Sequence, residues 1–173
     1  FKKVFSAEDS RVVVLRPNAV YGPLPDLQRF RRCSLIPFSF PRDAYVHGEI
    51  TLRSSGEQMR NFVSSSTIAE IVRRELEAPF QAPPVTNVLG STTESVFSYA
   101  QRCARSLFRI TGRQCAVVRP AVNSPVISSS EFCYGSRFGR AEEKFRPDDH
   151  LDQLMLRFSQ NSDWLNEQAK KRP

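Results

Sequence analysis

The side chains best suited to chemistry in this 173-residue sequence are its arginines. They run from Arg29, Arg31 and Arg32 through Arg53, Arg60, Arg73 and Arg74 to Arg102, Arg105, Arg109, Arg113 and Arg119. A guanidinium is a planar fork of N–H donors that grips a phosphate or carboxylate by two bonds and stays charged at any working pH. The formal net charge is +7. Residues 141–173 hold seven acidic and six basic side chains, so the excess lies in the first 140 residues. Such a surface favours a polyanionic or phosphate-bearing partner. A basic nucleic-acid-binding module is one class with that property. Against it, the arginines are scattered over predicted loops and helices and are not interleaved with aromatics in a stripe.

Other chemistries find little support. The cysteines are Cys33, Cys103, Cys115 and Cys133, and the closest two are twelve positions apart. His47 and His150 stand alone, so no zinc-ligand spacing exists. Cys103 falls on a helix face and Cys115 in a strand-like run, and both read as small core residues. Free thiols in a reducing compartment, the cytoplasm, are expected. The start, Phe1-Lys2-Lys3-Val4-Phe5, is not a signal peptide, because its apolar stretch is too short. The longest aliphatic run is Val12 to Leu15, far below the roughly 20 residues of a membrane span. Thirteen Phe, four Tyr and one Trp exclude a disordered tail.

The elements that must position these arginines read as follows. Val12 to Leu15 is a short β-branched run, suited to a strand buried on both faces in a parallel sheet. Pro17 to Pro23 cannot continue a ladder and is expected to be a loop. Leu27, Phe30 and Arg31 fit a short helix, and Leu35 to Pro41 a proline-rich loop. Ile50-Thr51-Leu52 and Phe62-Val63 are strand candidates. Thr67-x-x-Glu70 fits a capping box before the helical spacing of Ile68, Ile71, Val72 and Leu76, which Pro79 ends. Val85 to Val88 is a strand. Ser91-x-x-Glu94 fits a second capping box, with Val96, Ala100, Cys103 and Leu107 as the apolar face behind it and Gly112 as the stop. Cys115 to Val118 reads as a strand and Pro120 to Arg140 as loop. A last amphipathic helix begins near Asp148 and buries Leu151, Leu154, Met155, Phe158 and Leu165. The order is an α/β pattern, and its first strand has no upstream neighbour.

Leu15-Arg16-Pro17-Asn18-Ala19-Val20-Tyr21-Gly22-Pro23 resembles the loop after the sixth strand of NAD-dependent epimerase/dehydratase proteins, the extended short-chain dehydrogenases/reductases that modify nucleotide sugars. The resemblance continues in order to about residue 119. Ser34-Leu35-Ile36-Pro37-Phe38 is similar to the family's Asn-Leu-hydrophobic-Pro-aromatic stretch. Ile50-Thr51-Leu52 with Gly56-Glu57-Gln58-Met59-Arg60-Asn61-Phe62-Val63 resembles its strand followed by Gly-x-Gly/Gln-x-Arg-Asp-Phe-Val. Ile68 to Val72 fits the next helix. Val85 to Gly90 with Glu94-Ser95-Val96 resembles Tyr-Asn-Val-Gly … Ser-Val.

The resemblance implies the C-terminal substrate-binding part of a Rossmann-type extended short-chain dehydrogenase/reductase, with the N-terminal dinucleotide-binding sheet missing. It makes residues 1–23 a last-strand remnant of the Rossmann domain and residues 24–173 the nucleotide-sugar domain. Arg60 matches the diphosphate-contacting arginine, which gives charge-assisted hydrogen bonds. Ser34, Leu35 and Ile50, Thr51, Leu52 match positions lining the nucleotide, and Arg119 a second diphosphate arginine. Pro17 and Asn18 fall where the loop passes the nicotinamide of NAD or NADP. The departures are Ala19, where the family has a substrate-contacting Asn, and Asn61-Phe62-Val63-Ser64-Ser65-Ser66-Thr67, which replaces Asp-Phe-Val-His-Val-x-Asp and so exchanges two carboxylates and a histidine for neutral residues. The glycine fingerprint of a dinucleotide site is absent. The family's Tyr-x-x-x-Lys is expected upstream of Phe1, because none of Tyr21, Tyr45, Tyr99 and Tyr134 is followed by Lys at that spacing. No catalytic residue is therefore expected in this chain. The leading expectation is the substrate-binding half of an NAD(P)-dependent nucleotide-sugar epimerase, dehydratase or reductase. The alternative is a binding domain for sugar nucleotides or NAD(P) that has lost the chemistry.

Overall fold

The computed structural model describes residues 13–30, 32–77, 85–120, 135–136, 138 and 143–165. Seven strands and four helices are named here in chain order: β1 Val14–Pro17, β2 Ala19–Tyr21, α1 Ile36–His47, β3 Glu49–Thr51, β4 Met59–Ser64, α2 Ser65–Glu77, β5 Val85–Val88, β6 Thr92–Ser95, α3 Val96–Thr111, β7 Ala116–Val118 and α4 Pro147–Gln160. This is a mixed α/β fold in which β1–β5, β2–β4 and β3–β7 pair in parallel, while β6 adds antiparallel to β4.

Several expectations are corrected. β1 is parallel, but its residues are mostly exposed and not buried on both faces. Among the described residues it pairs with β5 alone. Val12 lies outside the described residues. The Pro17–Pro23 segment is not all loop, since Ala19–Tyr21 pairs with Phe62–Ser64. Leu27 to Arg29 form a turn rather than a helix, with the Asp26 carboxylate accepting from the N–H groups of Gln28 and Arg29. Arg31 lies outside the described residues.

The largest correction is α1, which runs through the supposed proline-rich loop. Pro37 sits in the first turn, where its missing N–H has no partner to lose. Pro41 sits inside the helix, so the Pro37 carbonyl loses its ordinary N–H partner. The buried imidazole of His150 fills that gap, its Nε2 donating to Pro37 O at 3.0 Å.

Both capping boxes move. α2 is capped by Ser64, whose Oγ accepts from Thr67 N at 3.1 Å, while Glu70 instead pairs with Arg73 and Arg74. Residues 92–95 are a strand, and Ser95 caps α3 by accepting from Ser98 N at 3.0 Å. On α2, Ile71 is buried, but Val72 and Leu76 of the same predicted face are exposed. Cys115 is half-buried, and Cys33, Cys103 and Cys115 are free thiols. Cys133 and most of 120–140 lie outside the described residues.

The predicted faces of α3 and α4 are buried, and α1, α3 and α4 share one core with β2, β3 and β4. Phe62 of β4 stacks on Tyr99 of α3 at 4.2 Å. α3 and α4 are tied by Arg109–Asp152 at 2.6 Å and Arg102–Asp148 at 2.8 Å. No helix among the described residues is long and apolar enough to cross a membrane.

Candidate functional site

β3, the turn after it and β7 bring Ile50, Thr51, Leu52 and Arg119 together. β3 buries Ile50 and Leu52 follows it inward, while Thr51 points out and donates to Glu49 Oε1 at 2.7 Å. Leu52 N–H donates to Val118 O at 2.9 Å, which carries the β3–β7 ladder one step further. The turn after it is clamped to the start of α3: Gly56 O accepts from Phe97 N at 2.9 Å and Gln58 O from Val96 N at 3.1 Å. Gly56 has φ +76°, and a Cβ there would stand 2.7 Å from Leu52 Cδ1, so only glycine makes this close approach.

That clamp positions Arg119, the first residue after β7. Its guanidinium lies over the Phe97 ring, 3.1 Å from the centroid, and donates to Glu57 Oε1 at 2.9 Å. Stacking and pairing together hold a cation flat against the turn. Arg60 lies in a different sheet, near the start of β4, with Glu94 of β6 opposite in the register. Its side chain is exposed and reaches Met59 O at 3.5 Å, and it makes no ion pair among the described residues. It is a cation held on a rigid strand with donors to spare.

The other predicted residues are less closely grouped. Ser34 and Leu35 are exposed at the N-terminal entry to α1. Twelve helical residues separate them from β3, a distance of about 18 Å along the axis. Pro17 and Asn18 are exposed at the carboxyl end of β1. Phe38 lines a partly open cavity of about 270 Å³ bounded by Leu24, Leu27, Phe30 and Cys33, by α1 and α4, and by residues 164–165. Arg60 is not on its wall, so the concavity beside α1 and the Arg60 edge are separate places.

The sequence reading missed a buried carboxylate. Glu143 reaches the carboxyl ends of the parallel strands. Its Oε1 accepts from Ser64 N at 2.6 Å and Thr67 Oγ1 at 3.4 Å, and its Oε2 accepts from Ser91 N at 3.2 Å and Ser91 Oγ at 3.0 Å. Tyr21, at the end of β2, donates to Phe145 O at 2.9 Å. Burial, and then the Glu143 carboxylate, push its hydroxyl far above the usual range. No local pattern marks Glu143, because every partner is at least 52 residues away. Ser64 Oγ also hydrogen-bonds Ser66 Oγ and Thr67 Oγ1 at 2.9 and 2.8 Å, so the neutral run at 64–67 closes on itself and on Glu143.

No protein-family model matches this chain, and no curated protein matches it. Solved structures do. An NAD-dependent NDP-hexosamine 5,6-dehydratase of tunicamycin biosynthesis, TunA, matches with a TM-score of 0.58 at 19% identity, covering 87% of this chain and 46% of that one. RMD from Pseudomonas aeruginosa, complexed with NADPH, matches with a TM-score of 0.58 at 15% identity over 90% of this chain and 50% of that one. The UDP-N-acetylglucosamine 4-epimerase of Methanobrevibacter ruminantium, in complex with UDP-N-acetylmuramic acid, gives a TM-score of 0.57 at 17% identity over 92% and 50%. At these identities the likeness establishes a shared fold. The chain spans about half the length of those proteins.

Proposed function

We propose that this chain is the nucleotide-sugar-binding half of an NAD(P)-dependent epimerase, dehydratase or reductase. Residues 1–23 would close the dinucleotide-binding part and residues 24–173 form the substrate domain, the two being joined through the β1–β5 and β2–β4 pairs. The observation that carries this reading is the fold shared with one half of sugar-nucleotide enzymes, together with an uncommitted guanidinium, Arg60, where that fold's sequence resemblance puts a diphosphate contact. Arg60 grips the diphosphate. Arg119, already oriented by Phe97 and Glu57, adds the second cation. Ile50 to Leu52 offer strand backbone to the nucleoside, and Ser34 and Leu35 bound its other end. An extended ligand suits residues spaced in this way.

NAD or NADP, when bound, supplies the hydride acceptor. Pro17 and Asn18 are exposed at the carboxyl end of a parallel strand, where open α/β sheets bind ligands, and they fit contact with the nicotinamide edge. Proton removal from the sugar falls to a tyrosine outside this chain, and the residues here bind and orient.

The test uses the full coding sequence. The region upstream of Phe1 is expected to encode a Gly-x-x-Gly-x-x-Gly turn and Tyr-x-x-x-Lys. Arg60→Met in the whole protein is expected to raise KM for a UDP- or dTDP-sugar by about tenfold to a hundredfold, with a smaller change in kcat. Absence of both upstream motifs, or an unchanged KM, overturns the reading. A second reading, binding without chemistry, draws on Ala19 and on the neutral run Ser64 to Thr67, in which Ser64 and Thr67 are taken up by Glu143. Sugar-nucleotide binding by calorimetry with no turnover by the full-length protein would select it.

A further inference from the structure

The cavity beside α1 is separate from Arg60 and Arg119, neither of which lines it. Four aromatic rings line it: Phe30, Phe38, Phe158 and Trp164. Arg42 and His47 are on its wall, and no acidic side chain lines it among the described residues. Arg42 is held in place by its neighbour, with Nε and Nη2 both donating to Asp43 Oδ1 at 3.0 and 2.7 Å. Its Nη1 has no partner among the described residues. The guanidinium side chain is only one-quarter exposed, so a hydrogen bond from Nη1 into the cavity is partly shielded from water.

Size selects the ligand class. An apolar cavity of roughly 150 Å³ admits benzene. The 270 Å³ here leaves room for a second ring and one small polar group. The cavity falls just below the range of about 300–1,000 Å³ usual for drug-sized ligands, so a two-ring ligand suits it better than a whole nucleotide sugar. The aromatic lining favours a flat ring system in offset or edge contact. The remaining Arg42 donor, Nη1, favours an acceptor such as a carboxylate.

We infer that this cavity binds a small aromatic carboxylate, with two fused rings among Phe30, Phe38, Phe158 and Trp164 and the carboxylate on Arg42 Nη1. The inference is independent of the nucleotide-sugar reading, because Arg60 and Arg119 take no part in it.

The probe is 2-naphthoate, compared with its methyl ester, which keeps the rings and loses the charge. Trp164 is the sole tryptophan of the chain, so its emission reports occupancy, and Trp164→Phe identifies that signal in any longer form of the protein. Saturable quenching by 2-naphthoate is expected, absent in Trp164→Phe. Binding of the acid should be about tenfold or more tighter than that of the ester, and Arg42→Met should remove that preference while ester binding persists. UDP-glucose at saturating concentration should not displace the probe. No saturable quenching overturns the inference. So does equal binding of acid and ester, an acid preference that survives Arg42→Met, or competitive displacement by UDP-glucose. The ester comparison in the unaltered protein keeps the test decisive if a variant fails to fold.

Discussion

Replacing Glu143 by alanine tests how the segment before α4 is fastened to the strand ends. The carboxylate is 5% exposed and accepts from Ser64 N, Ser91 N, Ser91 Oγ and, more distantly, Thr67 Oγ1. Hydrogen bonds to a charged group contribute about 1.5–3 kcal/mol each, but bonds sharing one carboxylate do not add. Ser91 is exposed, so water replaces the lost acceptor there. Ser64 is fully buried, and its amide is left without a partner, which costs about 1–3 kcal/mol. The missing methylenes add about 1 kcal/mol as a cavity, and losing the Thr67 and Ser91 bonds adds about as much again. The expected loss for Glu143→Ala is therefore about 3–5 kcal/mol. Glu143→Gln keeps one oxygen for Ser64 N but turns an NH₂ toward the Ser91 donors, and should lose about 1–2 kcal/mol. Urea unfolding at pH 7, followed by Trp164 emission and far-ultraviolet circular dichroism, measures both. A double-mutant cycle with Ser91→Ala should give a coupling of about 1 kcal/mol. A Glu143→Ala variant within about 1 kcal/mol of the parent would refute the reasoning, as would a glutamine variant as damaged as the alanine one.

Four further outcomes are expected. Burial lowers the His150 imidazole from its ordinary 6.5 to about 4, against the opposing pull of the Pro37 and Gly22 carbonyls. The unfolded chain thus binds more protons between those values, so stability should fall by up to about 3 kcal/mol as pH drops from 7 to 4; His150→Leu should flatten that slope in pH-dependent urea unfolding. The Tyr99 hydroxyl is buried without a hydrogen-bond partner among the described residues, so Tyr99→Phe should be neutral or stabilising by up to about 1 kcal/mol in thermal unfolding. Gly56→Ala should destabilise by about 1–3 kcal/mol in the same assay, because it combines a left-handed φ with a Cβ pressed on Leu52. Leu76 is 78% exposed, so Leu76→Lys should change stability by less than about 0.5 kcal/mol while raising the concentration that stays in solution after centrifugation.

What could be read from the sequence follows from what is local. The α3 face of Val96, Ala100, Cys103 and Leu107 repeats at helical spacing and is buried as expected. Gly112 ends that helix in the left-handed region at φ +71°, as its position suggested. Ile50, Phe62 and Val88 lie in strands at their predicted places. α1 was hidden because its stability does not come from its own sequence: two prolines remove donors, and the compensating donor, His150, is 113 residues away. β2 was hidden for a similar reason, since three residues between prolines form a strand only because β4 supplies a parallel partner. Arg60 and Arg119 were legible as types of residue, and the resemblance ordered them. Sequence alone could not show that one stays uncommitted while Phe97 and Glu57 hold the other.

The long-range ties share a location, and that has a consequence for how the molecule divides its tasks. Glu143 fastens to Ser64 and Ser91, Phe145 takes the Tyr21 hydroxyl, and His150 completes α1, all within eight residues of chain. Each tie satisfies a polar group that its own element leaves unpaired: the Ser64 amide, the Tyr21 hydroxyl and the Pro37 carbonyl. A buried polar group without a partner is costly, so these ties act on whether the fold closes at all. None of them touches Arg60, Arg119, Phe97 or Glu57. Substitutions in residues 143–150 should therefore lower stability and leave anion affinity of the folded protein unchanged, whereas Arg60→Met should lower affinity with little effect on unfolding. A molecule built this way can vary its exposed arginines without reopening the core.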